Sequence, residues 1–474
     1  MPDSGINPGP GVILMMRKIS LRVICQVFLL SISAYTLAQS PDQQEAEARL
    51  AQSRDLVEAI SSEFGRNSPR LIEPMAQLAN SLTILNRFTE AHRTLEQAMQ
   101  IARLEDGLYT EDQIPLIRQK IDNFSEGRDW SSAREQMDYL FWFYDSQKVT
   151  VDSRLIDDLI SLSDQHLRGA AEDLESWQGY HLLQAKQLNW AIISTANTVY
   201  GKDHPRRVPL LYRQLQHLYL LKQAVEGRGR PAAELRRIVQ GSGRLRESGE
   251  VVNSYFFVGL SLLDQIRNVY LSLPVPDIEG QAMAELYAAD WHLLFDHPLR
   301  ATDLYSTVYS ALMRAGLAEQ QVASYFSEPR IIPLQHFYPS VELAAAGAGS
   351  AEAESLSASA GKNLATLVFT EWSSGFSSVP RKQRALAEDS AGVFALLSFQ
   401  LRGENEYSRW IKGKITQAIS SAFDGAVVQG LGGNELGQQE LLEKLGRIHF
   451  RPKLSGGMLQ QSSAMLKYYP ASNP

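Results

Sequence analysis

The chain has 474 residues, 44% of them hydrophobic and 21% charged, with a net charge of −7. That balance excludes a chain disordered throughout, and the length corresponds to two or three domains. Its 32 Gly and 20 Pro are too few for a fibrous or low-complexity protein, and the acidic balance excludes a wholesale basic nucleic-acid footprint.

The N-terminus reads as a secretory signal, assigned to residues 1–38. Arg17, Lys18 and Arg22 form a positive n-region, Val23 to Leu30 supply the apolar core, and Thr36-Leu37-Ala38 offers small side chains at a cleavage point. The start falls at Met1, Met15 or Met16. The apolar run is shorter than the roughly 20 residues of a spanning helix. Retention of the segment as an anchor is the alternative. Cys25 is the chain's single cysteine and lies inside this segment. The exported remainder would carry no thiol, which excludes a disulfide scaffold, a thiol nucleophile, an iron–sulfur cluster and a Cys-zinc site. A periplasmic location follows as the expectation.

Residues 42–328 are expected to be helical, because apolar residues recur at spacings of three and four. Met75, Leu78, Ala79, Leu82 and Leu85 share one helical face, Asn86-Arg87 breaks it, and Phe88, Ala91, Leu95, Ala98 and Ile101 line a second helix. A further copy follows at Trp130, Ala133, Met137 and Leu140, with Ala133 placed 42 positions after Ala91. In its first helix Lys120 stands where an apolar residue is expected. Around Gly201, His204 and Pro205 another junction leads into a helix of Leu and Tyr. Leu155, Leu159, Leu162 and His166 fit a helix, as do Leu182, Leu183, Lys186, Trp190 and Ile193. Leu286, Ala289 and Leu293 pair with Ala301, Tyr305 and Val308 across Asp296-His297-Pro298.

Ala79, Phe88, Ala91, Leu95 and Ala98 resemble the tetratricopeptide repeat. The 42-residue spacing with Gly107 in the connection is similar to the kinesin-light-chain type of that repeat. The resemblance implies a helical-repeat array with a concave, partner-binding groove.

Pro329, Pro333 and Pro339 interrupt any helix, and residues 329–361 read as a linker, with 341–361 either a short helix ending at glycines or a flexible tether. From 362 to 474 the pattern is α+β. Strands are expected at 364–372, 391–401 and 459–470, strand or helix at 414–423, a helix carrying Leu441, Leu442 and Leu445, and an extended run into Gly456-Gly457. Phe450, Arg451, Pro452, Gly456 and Gly457 resemble the helix-to-strand step of the TonB C-terminal domain, which implies that fold for the segment. The fold class expected is therefore mainly α, a tetratricopeptide-like array followed by a small α+β domain.

No catalytic signature stands out. His292 and His297 are five residues apart and do not share a helical face, and Asp157-Asp158 points in two directions. The glycines of 430–437 lack the Lys of a phosphate loop. No catalytic residue, metal ligand or cofactor is assigned. Partner contact is placed on the surplus aromatics Phe141, Trp142 and Tyr144 and on the basic residues Arg236 and Arg237. The functional expectation is an exported, non-enzymatic scaffold holding a protein or peptide partner in the cell envelope, without nucleic acid or a small-molecule cofactor. A peripheral association with the membrane is compatible with it. The alternatives are a TonB-like energy transducer or accessory, and an exported hydrolase using carboxylates of the helical region.

Overall fold

The computed structural model describes residues 41–146, 149–226, 248–334, 336–346, 376–378, 395–401, 423–429, 449–460 and 462–468. Among these the chain is mainly helical, with thirteen α-helices and a few small antiparallel strands toward the C-terminus. It divides into two compact units, Met1–Lys148 and Val149–Pro474. No described helix is long and apolar enough to cross a membrane. The expected signal, the strand at 364–372, the 430–437 loop, the helix around Leu441 and the arginines Arg236 and Arg237 lie outside the described residues.

The first unit contains α1 (Pro41–Phe64), α2 (Ile72–Ile84), α3 (Phe88–Asp106), α4 (Ile114–Glu126) and α5 (Trp130–Ser146). α2–α3 and α4–α5 are helical hairpins with the same turn. Asn86 and Arg128, 42 positions apart, both adopt positive φ, and the next residue donates its N–H back to the last helical turn: Arg87 to Leu82 and Asp129 to Phe124. This is a Schellman closure, which satisfies carbonyls that a helix end leaves without partners. Ala91 and Ala133 then return their amides to Arg87 and Asp129, and both are fully buried, so the two helices of each hairpin approach closely. The entry to each hairpin also repeats. Gly65 and Gly107 take positive φ, and a short 3-10 turn, Pro69–Leu71 or Glu111–Gln113, leads into α2 or α4. Asn123 of α4 bridges the hairpins, donating Nδ2–H to Phe88 O at 3.1 Å and accepting from Thr83 Oγ1 at 2.9 Å. Lys120, out of pattern in the sequence, is buried and reaches Glu96 Oε1 at 2.5 Å. Burial favours the neutral acid at Glu96, but the Lys120 hydrogen bond and charge outweigh it and hold the carboxyl below its usual range.

The second unit opens with α6 (Ser153–Glu172), whose N-cap Asp152 accepts from the amides of Arg154 and Leu155. α7 (Gln178–Tyr200), α8 (Val208–Glu226), α9 (Ser248–Leu271), α10 (Ile278–Leu294), α11 (Pro298–Arg314) and α12 (Glu319–Tyr325) follow. Gly201 and the Pro205–Arg207 turn repeat the entry seen at Gly65 and Gly107. The α10–α11 turn repeats the Schellman closure, with Asp296 at positive φ, His297 donating to His292, and buried Ala301 donating to His297. Trp190, grouped by its spacing with Leu182 and Ile193, is instead partly exposed. The buried stripe of α7 runs through Leu182, Ala185, Leu188, Ile192 and Ala196.

Residues 330–334 and 336–346 pack against the helices rather than forming a tether. They form β1 (Arg330–Ile332), a loop that buries Phe337 and Tyr338, and α13 (Val341–Ala346). β1 pairs antiparallel with β5 (His449–Arg451), placing Ile331 opposite Phe450. β6 (Lys453–Ser455) and β7 (Met458–Gln460) then form a hairpin over Gly456-Gly457, both at positive φ. Phe450, Leu454 and Leu459 belong to the same apolar core as the helices. A separate four-stranded antiparallel sheet has the order β2 (Phe376–Ser378), β8 (Ser462–Tyr468), β3 (Ala395–Leu401), β4 (Phe423–Gln429).

Close helix contact in this unit rests on Gly259. A methyl group there would fall inside the indole of buried Trp291, which is held by donating Nε1–H to Phe256 O at 2.9 Å. Helix propensity alone would favour Ala over Gly by about 1 kcal/mol. Gly259→Ala is nevertheless expected to destabilise the unit by roughly 1–3 kcal/mol through overpacking, measured by urea unfolding. A gain in stability would show that α9 and α10 are not in this contact.

Candidate functional site

The first unit presents an aromatic and aliphatic patch at the ends of α3 and α5. Gly107 stops α3 and turns the chain, leaving Leu104 in its last turn 73% exposed, and Leu108 and Tyr109 beyond it 62% and 52% exposed. Trp142 of α5 is 44% exposed and meets Tyr109 edge-on, with ring centroids 5.5 Å apart. Tyr139, one turn earlier, stacks on Trp142 at 5.8 Å and touches Phe143 at 6.5 Å. The loop bearing Tyr109 is pinned from beneath. Buried Gln113 donates Nε2–H to Gly107 O at 2.7 Å and contacts Thr110 Oγ1 at 3.2 Å. The rings are thus held in place by packed backbone, and the arrangement is a surface for contact.

Of the aromatics expected to contact a partner, Trp142 lies in this patch, while Phe141 and Tyr144 are half-buried on other sides of α5. Tyr139 is half-buried and supports Trp142, while Leu140 and Phe143 are fully buried. Leu104, Leu108 and Tyr109 were not singled out from sequence. Their signal was a helix-ending glycine followed by two large apolar side chains in a loop.

In the second unit one helical face is occupied by the chain itself. Tyr212, Gln216 and Tyr219 of α8 and Tyr287 and Asp290 of α10 receive residues 330–334, 336–338 and 449–451. Tyr212 OH and Gln216 Nε2 donate to Leu334 O at 2.7 and 3.1 Å, and Tyr287 OH donates to His336 O at 2.8 Å. Tyr219 OH lies 3.2 Å from His449 Nδ1. Arg451, 2% exposed, forms a two-pronged ion pair with Asp290, Nε to Oδ1 at 2.9 Å and Nη2 to Oδ2 at 2.5 Å. Tyr325 OH accepts from Arg451 Nη1, and Tyr305 OH donates to Asp290 Oδ1 at 2.8 Å. The Phe450-Arg451 pair that carries the TonB likeness is therefore engaged inside the unit.

A polar seam crosses α6, α7 and α8. Arg213 binds Asp164 Oδ1 at 2.9 Å, Ser163 Oγ at 2.9 Å and Asn189 Oδ1 at 2.8 Å. Nearby, Asp173 Oδ2 accepts from His181 Nε2 at 3.1 Å, and the Nδ1 atoms of His181 and His166 lie 3.1 Å apart, within hydrogen-bond distance. Burial pushes His166 well below its usual range, and the neighbouring His181 pushes the same way. Buried Asp290 and half-buried Asp164 and Asp173 thus each face an Arg or a His. His292 and His297, separated in the sequence reading, are brought to a 5.8 Å ring contact by the α10–α11 turn. Burial, then the charges of His297 and Arg300, push His292 down to about 4. Among the described residues no group of three His, Cys, Asp or Glu is placed to hold a metal ion.

No family model and no curated protein sequence matches the chain.

Proposed function

We propose that the protein is a non-enzymatic, exported scaffold of tetratricopeptide-like helical hairpins, whose first unit holds a protein or peptide partner on the Tyr109–Trp142 patch. The observation that carries this reading is the patch itself: three touching rings on a pinned loop and a packed helix, left open to solvent. The recurrence of one turn and one entry at a 42-residue interval supports the repeat identity. Stacked hairpins of that kind hold their partners by surface contact rather than by chemistry. The hydrolase alternative is weakened because the carboxylates of Asp164, Asp173 and Asp290 are each paired to an Arg or a His. The energy-transducer alternative is weakened by the burial of Arg451.

The test is site-specific photocrosslinking in intact cells, with a benzophenone amino acid at position 109 and, as control, at exposed Asp55 of α1. The reading predicts a reproducible protein adduct from position 109 that position 55 does not form. Identical adducts at both positions, or none at 109, would contradict it.

A further inference from the structure

We propose that the occupant of the Tyr109–Trp142 patch is a cationic peptide segment with one apolar face. The inference rests on the scaffold reading and names the partner's chemistry.

Acidic side chains flank the apolar anchor. The two segments that build the patch are Leu104–Asp112 and Asp138–Ser146. The first contains Glu105, Asp106, Glu111 and Asp112, and the second contains Asp138 and Asp145. All six carboxylates are exposed, and neither segment contains a Lys or Arg. The adjoining cations are Arg103 of α3, whose charge acts on Glu96 two turns back along the helix, and Arg134 of α5, one turn before Asp138, so six acids stand against two bases. On α5, Asp138 and Asp145 stand one turn before and one turn after Trp142, so acid brackets the indole along the helix.

An apolar surface with this rim repels an acidic or phosphate-bearing partner and attracts a basic one. The rim charges set encounter rate and partner choice, while the apolar centre supplies the contact energy. The exposed rings add a second reason. Trp and Tyr faces attract ammonium and guanidinium groups, so a Lys or Arg next to an apolar side chain is served by ring and carboxylate together. Leu104 and Leu108, which precede Tyr109 in the chain, offer exposed aliphatic surface, which suits a partner presenting Leu, Ile or Met at helical spacing on its inner face.

The probe is a fluorescein-labelled Leu/Lys amphipathic peptide of about four helical turns, titrated with the full chain and followed by anisotropy. A Leu/Glu peptide of the same pattern and a Gly/Ser/Lys peptide of the same charge are the controls. The expected result is saturable binding of the Leu/Lys peptide alone. It should weaken at least ~10-fold on Trp142→Ala and again on Asp106→Lys with Asp145→Lys, and fall as salt rises from ~0.05 to ~0.5 M. These exposed substitutions leave the α3 and α5 cores intact, which circular dichroism of each variant checks. Equal binding by wild type and Trp142→Ala, equal binding of the Leu/Glu peptide, or binding of the Gly/Ser/Lys peptide as tightly as the Leu/Lys peptide would overturn the proposal. So would a lack of any binding by the Leu/Lys peptide. If position 109 still yields its specific adduct in cells while that peptide does not bind, the site stands and the cationic partner is lost.

Discussion

Arg451→Ala is expected to lower the unfolding free energy of the second unit by roughly 3–5 kcal/mol, because it leaves a buried carboxylate without its counter-charge. Asp290 is 3% exposed, and after the substitution the Tyr305 hydroxyl would remain as its side-chain donor among the described residues. The loss is read from urea unfolding followed by tryptophan fluorescence, for which buried Trp291, next to Asp290 in α10, is a natural reporter. Asp290→Leu combined with Arg451→Met should recover a large part of the loss. Replacing both ions removes two desolvation penalties together, and the side chains added can fill the space. The recovery stays incomplete because the Tyr305 and Tyr325 hydroxyls lose their charged partners. A cost below about 1 kcal/mol for Arg451→Ala would mean that β5 does not sit on α10 in solution.

Acidification is the second large effect. His217 is fully buried, donates Nε2–H to Leu182 O at 2.8 Å, and is pushed down to about 3 by burial, aided by the charges of Arg213 and Lys186. Above about pH 6.5 the ring is neutral whether the chain is folded or unfolded, and no stability depends on it. Below that the unfolded chain takes up the proton and the folded chain refuses it, so stability falls with pH until about pH 3. Between pH 6.5 and pH 4 the loss amounts to roughly 3 kcal/mol for this one group, at 1.36 kcal/mol per pH unit. His166 acts in the same direction. Asp164 opposes them, because burial raises its carboxyl despite Arg213, and the folded state then gains a proton as pH falls. His217→Gln keeps a donor for the Leu182 carbonyl but does not titrate. The stability difference between pH 7 and pH 4 should shrink by about 3 kcal/mol in this variant. An unchanged difference would place the acid sensitivity elsewhere.

The helical hairpins were legible because their determinants are local. A small residue at Ala79, Ala91 or Ala133, a break at Asn86-Arg87 and a 3.6-residue stripe are all written within a few tens of positions. The strands at 395–401 and 462–468 and the turn at Gly456-Gly457 were readable for the same reason. What the sequence hid was long-range. Arg451 looks like a surface charge until Asp290, 161 positions away, is folded against it. Residues 329–346 look like a tether because Pro333 and Pro339 forbid a helix, yet Ile332, Phe337 and Tyr338 are core residues whose burial depends on α8 and α10. His166 and His181 were ordinary helical positions until the α6–α7 hairpin placed their rings in contact. In the candidate site Trp142 was visible as one aromatic too many for its helix. Tyr109 was not, because its partner comes from another hairpin.

The central claim, that the Tyr109–Trp142 patch holds a partner, is tested most directly by the yield of the photoadduct formed at position 109 in cells carrying either Trp142 or Trp142→Ala. The account predicts that losing the indole cuts the yield at least ~10-fold at unchanged protein level. An equal yield from the two chains would contradict it.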